Sequence, residues 1–151
     1  MSGIKQNPRP GRIAAILAAV LLTASIPVSA QDAAPAAAPE IVVHVAFGAD
    51  VDRAARELIG QSDEFAVADF AAETGQVYCL TRIMNLDPSS TVTHAWYYEG
   101  KTMARVELTV GSADWRTWSS KRILPAWTGS WEVKVLDADD MVLGSAGFVI
   151  E

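Results

Sequence analysis

Cysteine is nearly absent. Cys79 is the single one among 151 residues, so no disulfide forms within the chain and the fold has to hold by packing alone. Histidine is scarce as well: His44 and His94 are widely separated and, with one cysteine, give no zinc-ligand spacing. The acidic run Asp137-Ala138-Asp139-Asp140 lacks the further ligands and the glycine of a calcium loop, so it reads as a polar turn. No metal and no cofactor is expected. A membrane span needs roughly 20 apolar residues, whereas the apolar run Ile13 to Ile26 has fourteen and is closed by Pro27.

What that run does resemble is an export signal. Lys5, Arg9 and Arg12 precede it, and Val28-Ser29-Ala30 supplies a small-residue cleavage site before Gln31. Residues 1–30 are therefore read as a signal peptide, with a retained anchor as the alternative, and a periplasmic or secreted location is expected. No cysteine directly follows the cleavage site for lipid attachment, and no paired arginines precede the apolar run, which favours general secretory export. No membrane span is expected after cleavage.

Positive charge is the next shortage. The signal removes three of the twelve basic residues and none of the eighteen acidic ones, leaving nine against eighteen and a net charge of −9. Such a chain repels phosphate backbones, so nucleic acid is not an expected partner. The charge is uneven: residues 40–99 carry three basic and ten acidic groups, and residues 100–134 carry six basic and three acidic. Residues 31–39, QDAAPAAAP, have nothing to bury and read as an extended Ala/Pro tether. Residues 40–151 then form one domain, long enough for a single core.

Within that domain the hydrophobic period is mostly two. Glu40 to Gly48 reads as a first strand, and in QVYCLTRI the set Val77, Cys79, Thr81 and Ile83 shares one face, with Cys79 as a small buried side chain. Val51, Ala54, Ala55, Leu58 and Ile59 instead fall at helical spacing, with Asp50 to cap and Gly60 to close, and predict one short helix. Gln61 to Gly75 reads as loop with a short edge strand. Thr91 to Val110 is a hairpin with Glu99-Gly100 at its tip. A two-residue turn would pair Trp96 with Met103 and turn it outward; a three-residue loop with a bulge at Gly100 turns it inward. The second is expected, because glutamate tolerates a left-handed conformation poorly. Trp131, Val133 and Val135 alternate in a further strand, and Met141 to Ile150 returns as the last, bent at Gly144 or Gly147. The sum is all-β: an antiparallel two-layer β-sandwich, immunoglobulin-like, with one short helix near the N-terminus of the folded part.

Several motifs are more specific. Val77-Tyr78-Cys79-Leu80-Thr81-Arg82, Thr93-His94-Ala95-Trp96-Tyr97, Glu99-Gly100-Lys101, Trp115 to Lys121 and Leu124 to Trp131 occur in that order. In this the chain resembles the bacterial family catalogued as Domain of Unknown Function 2914, over roughly Val42 to Glu151. That family more often has an Asp-Arg-Glu-Pro turn where this chain has its Ala-rich segment, of which Asp52-Arg53 and Glu57 are matched. The resemblance implies an envelope β-domain and carries over no catalytic residue.

Chemistry finds little support. A nucleophile relay would join Ser119 or Ser120 to His94 or His44 and an acid such as Asp114. There is no nucleophile-elbow pattern, and His94 sits among strand residues suited to packing, so the chain is read as non-catalytic, with a hydrolase as the remote alternative. Four of the five tryptophans lie in Trp115 to Trp131, interleaved with Arg116, Lys121 and Arg122. Trp131 and one of Trp115 or Trp118 are expected in the core, since a regular strand points the members of that pair to opposite faces. The candidate binding face is Trp115, Arg116, Trp118, Lys121, Arg122 and Trp127, suited to stacking a sugar ring of a cell-wall glycan or peptidoglycan. Docking to another envelope protein, or a purely structural domain whose tryptophans are all core, are the competing expectations.

Overall fold

The computed structural model describes residues 37–70 and 75–151. The expected signal peptide and tether residues 31–36 lie outside these. The described residues form nine strands and one 3-10 turn: β1 (Val42–Asp52), β2 (Glu57–Gln61), β3 (Glu64–Phe65), the turn Val67–Phe70, β4 (Gln76–Met84), β5 (Thr91–Tyr98), β6 (Lys101–Thr109), β7 (Asp114–Arg122), β8 (Gly129–Leu136) and β9 (Val142–Ile150). They make two sheets, a four-stranded one in the order β2-β1-β4-β7 and a five-stranded one in the order β3-β9-β8-β5-β6. Every strand pair is antiparallel except β3 with β9, where Glu64 faces Val149 and Phe65 faces Ile150 in parallel. The chain crosses there from the first sheet to the second, so the wholly antiparallel sandwich is corrected at that edge.

The inner faces meet along the alternation legible in the sequence. Val77, Cys79, Thr81 and Ile83 of β4 are all fully buried. Val77 and Cys79 pack with Trp96 of β5, Trp131 and Val133 of β8, and Phe148 of β9, which with Phe47 make the larger cluster. Phe47 and Phe148 join the two sheets with ring centroids 4.7 Å apart, and Trp131 stacks on Phe148 at 5.9 Å. Ile83, Val92, Val110 and Val135 fill the other end. Offset and tilted aromatic packing of this kind supplies the cohesion that a disulfide would otherwise add.

Two expectations fail because of pairing that the local pattern does not contain. No helix forms over Val51 to Ile59: β1 runs on to Asp52, residues 53–56 turn, and β2 pairs back with Asp50 opposite Ile59 and Val51 opposite Leu58. An isolated two-turn helix is too short to hold itself, whereas the hairpin satisfies the same backbone groups on the edge of a sheet. Asp52 Oδ1 accepts from the amides of Ala54 and Ala55 at 2.9 Å, and Arg56 closes the turn at a φ of 55°. The hairpin then folds back over the outer face of its own sheet. Leu58 lies against Gly48, β2 touches β4 although β1 separates them in the sheet, and the turn brings Arg56 to β7.

The β5–β6 hairpin has both features that the sequence presents as alternatives. Its turn has two residues, with Glu99 at a φ of 46° and Gly100 at 77°, and a bulge sits further up, between Trp96 and Tyr97. Trp96 therefore pairs with Ala104 and is fully buried. The expected three-residue loop is absent because Glu99 is held in its left-handed conformation from outside. Its amide donates to Ser130 O at 3.1 Å, and its Oε1 accepts from Ser130 N at 2.8 Å. Gly129 makes room for this: a Cβ there would lie 2.5 Å from Glu99 Oε1.

Candidate functional site

The strand that carries most of the candidate residues, β7, pairs with β4 without a register shift from Asp114 opposite Met84 to Arg122 opposite Gln76. Strict alternation follows. Trp115, Thr117, Ser119 and Lys121 take the parity of the core, and Arg116, Trp118, Ser120 and Arg122 that of the outer face. The ends of β7 are also roughly 26 Å apart at about 3.3 Å per residue. The six candidates accordingly fall into separate groups.

Midway along the inner face is a buried polar tie between the sheets. His94 of β5 places Nε2 2.9 Å from Thr81 Oγ1 on β4 and Nδ1 2.8 Å from Ser119 Oγ on β7, and the indole of Trp96 donates to the same Ser119 Oγ at 3.1 Å. Burial holds the His94 imidazole neutral and pushes its pKa down to about 4. Ser119 and His94 are thus adjacent, as a relay would require. Both are buried, however, and Asp114 lies at the far end of β7 bonded to Arg82, so the pair has neither access nor its acid. Cys79 next to it is sealed too, and burial pushes its thiol up to about 12, so it does not ionise near neutrality.

At the N-terminal end of β7, Trp115 is half-buried against Ile83 and Val110, with the carbon of the Arg56 guanidinium 4.1 Å from its ring centroid. Its Nε1 is buried without a partner. Arg82, opposite Arg116 in the register, donates to both carboxylate oxygens of Asp114, from Nε at 2.9 Å and Nη2 at 2.6 Å. Hydrogen bonds from Arg82 hold the Asp114 carboxyl below its ordinary range against slight dehydration, and the charges of Arg82 and Arg116 add to this. Ala55, Arg56, Arg82, Asp114 and Arg116 line a cleft of about 300 Å³.

The other end is aromatic. Trp127, half-buried in the β7–β8 connection, lies 5.9 Å from Trp131 and 6.4 Å from Tyr98, and Lys121 Nζ stands 5.4 Å from its ring centroid. The Trp127 carbonyl accepts from Trp131 Nε1 at 3.2 Å, and Tyr98 Oη donates to Thr128 O at 2.8 Å. Trp127 is therefore the outermost ring of a stack that continues through Trp131 to Phe148 in the core. Trp118 is half-buried on the outer face opposite Leu80, and Arg122 is exposed beyond it.

Residues 89–150 match a family model described as "Protein of unknown function (DUF2914)". This is the family that the sequence resembles. The match spans β5 to β9 and so includes Trp115 to Trp131, while β1 to β4 lie outside it. No curated protein matches the chain.

Sequence reasoning missed Arg56, Arg82 and Tyr98. Arg82 was within reach, because the alternation of β4 and β7 places Arg82 and Arg116 on like faces once the two strands are paired. Arg56 was hidden by the expected helix. Tyr98 depends on a turn register that only the Glu99–Ser130 contacts decide. Among the described residues no cluster of three metal-binding side chains occurs, and no helix is long and apolar enough to cross a membrane.

Proposed function

We propose that the chain is an exported, non-catalytic binding module of the bacterial envelope, and that its aromatic end takes a cell-wall glycan or peptidoglycan. One observation carries this reading. Trp127 closes an aromatic stack while remaining half-exposed, with Lys121 over its ring and Tyr98 beside it. Sugar rings stack on such a surface, and an ammonium next to it suits the carboxylates that cell-wall sugars and their peptides carry. The reading moves the expected face from all six candidates to Trp127 and Lys121 with Tyr98. An immunoglobulin-like arrangement fits it: successive strands pass between the sheets from β4 to β5, β6 to β7 and β7 to β8, and β3 runs parallel beside β9. Export rests on the positive, apolar and small-residue segments of residues 1–30.

Soluble peptidoglycan fragments titrated into the protein should quench part of its tryptophan fluorescence, and Trp127→Ala should remove the response. Unchanged fluorescence together with no sedimentation on intact peptidoglycan would reject the glycan reading.

A protein-docking reading has its own observation. Ile41, Val42, Met141 and Val142 are exposed at the starts of β1 and β9, which lie together because Val43 packs on Gly144. A homodimer or a stable complex in periplasmic extract, lost on Met141→Lys, would favour it. A strict monomer that gives no cross-links there would dismiss it.

A further inference from the structure

We propose that the cleft between the β1–β2 turn and the N-terminal end of β7 binds a multiply charged oxyanion, such as a phosphate group, through Arg56, Arg82 and Arg116. Three guanidiniums meet there with one carboxylate, in a domain whose acidic side chains outnumber its basic ones two to one once residues 1–30 are set aside. Among the described residues only Arg82 of the three has a carboxylate within 4 Å. With so many acidic groups available, leaving Arg56 and Arg116 unpaired in one concave place is a departure from the domain's composition.

The arginines are also held in place. Arg56 comes from a turn 60 residues away in sequence, lies over the Trp115 ring at 4.1 Å, and reaches Arg116 O from Nη1 at 3.5 Å. Arg82 is fixed by its two bonds to Asp114, which engage Nε and Nη2 and leave Nη1 without a partner among the described residues. Like charges gathered on fixed stems repel one another until an anion joins them, and planar guanidinium forks match the oxygen spacing of phosphate. The cleft carries three positive charges and one negative. A dianion balances that surplus, and a single carboxylate leaves half of it. The site lies at the opposite end of β7 from Trp127, so it goes beyond the glycan reading, and either can fail without the other.

The test is a titration of the full chain with inorganic phosphate at constant ionic strength, followed by the arginine Nε–H resonances and by the unfolding temperature. Saturable shifts at Arg56, Arg82 and Arg116 with a rise in unfolding temperature are expected. Affinity should weaken about tenfold or more in Arg116→Gln and in Arg56→Gln, as loss of a charge-assisted bond implies, and stay unchanged in Arg105→Gln. Arg56→Gln also removes the contact with Trp115; if that variant does not unfold cooperatively, Arg116→Gln alone decides. An equal response to chloride at the same ionic strength would overturn the proposal, as would wild-type affinity in Arg116→Gln. Acetate binding as tightly as phosphate would overturn the requirement for a multiply charged ligand.

Discussion

Each end of β7 places a cation over a tryptophan, and the two pairs do different things. At one end the Arg56 guanidinium lies 4.1 Å from Trp115, whose ring is packed against the core, so the indole anchors the arginine and the free chemistry is cationic. At the other, Lys121 stands 5.4 Å from Trp127, the outer member of a ring stack, and the free chemistry is aromatic. Between them Thr117 and Ser119 face inward and serve the fold. A run of tryptophans and basic residues is thus no single surface. Its meaning at each position is set by strand parity and by what the facing strand supplies.

The comparison breaks first at the core. Trp131 and Trp127 touch, yet Trp131 is 2% exposed and Trp127 half-buried. Trp131→Ala should cost about 3–5 kcal/mol in denaturant unfolding, and Trp127→Ala distinctly less. Equal losses would make Trp127 a core residue and remove the aromatic end as a binding surface.

The middle of β7 is probed by acid. His94 has an ordinary pKa of 6.5 when unfolded and about 4 in the fold, so the unfolded chain binds its proton first. Stability from its burial is complete above pH 6.5, declines as pH falls from 6.5 towards 4, and is lost below that. The total is about 3 kcal/mol. Chemical denaturation at pH 7.5 and at pH 4 should show that loss, and a His94 imidazole resonance titrating near 6.5 in the folded protein, followed in a His44→Gln background, would contradict the buried tie.

A smaller effect sharpens the same point. Ser119→Ala leaves Trp96 Nε1 and His94 Nδ1 without their partner, and should destabilise by about 1–3 kcal/mol. Ser120→Ala, one residue on and exposed, should change stability little. Similar losses at both positions would mean that the alternation of β7 is not as described.

Much of the fold was legible because period-two patterns encode burial directly. The inward set Val77, Cys79, Thr81 and Ile83, the core placement of Trp131, and the division of Trp115 from Trp118 all follow from it, whereas Trp96 reaches the core through the bulge beside Tyr97 and not through the expected loop. What was not legible depended on contacts between distant segments. Glu99 adopts a left-handed conformation only because Ser130 binds it from another strand. Val51 to Ile59 carries a helical period, yet its hairpin gains a sheet edge that the local pattern cannot reveal. The candidate site was half-legible for the same reason: the residues of β7 were visible, and Arg56, Arg82 and Tyr98 arrive from elsewhere.

The division of the tryptophans is tested most directly by incorporating 5-fluorotryptophan and measuring the five ¹⁹F resonances in H₂O and D₂O. Trp96 and Trp131 should show no solvent shift, and Trp115, Trp118 and Trp127 should each show one. Five insensitive resonances would mean that all the tryptophans are core, and a shift at Trp96 or Trp131 would contradict the packing of the two sheets.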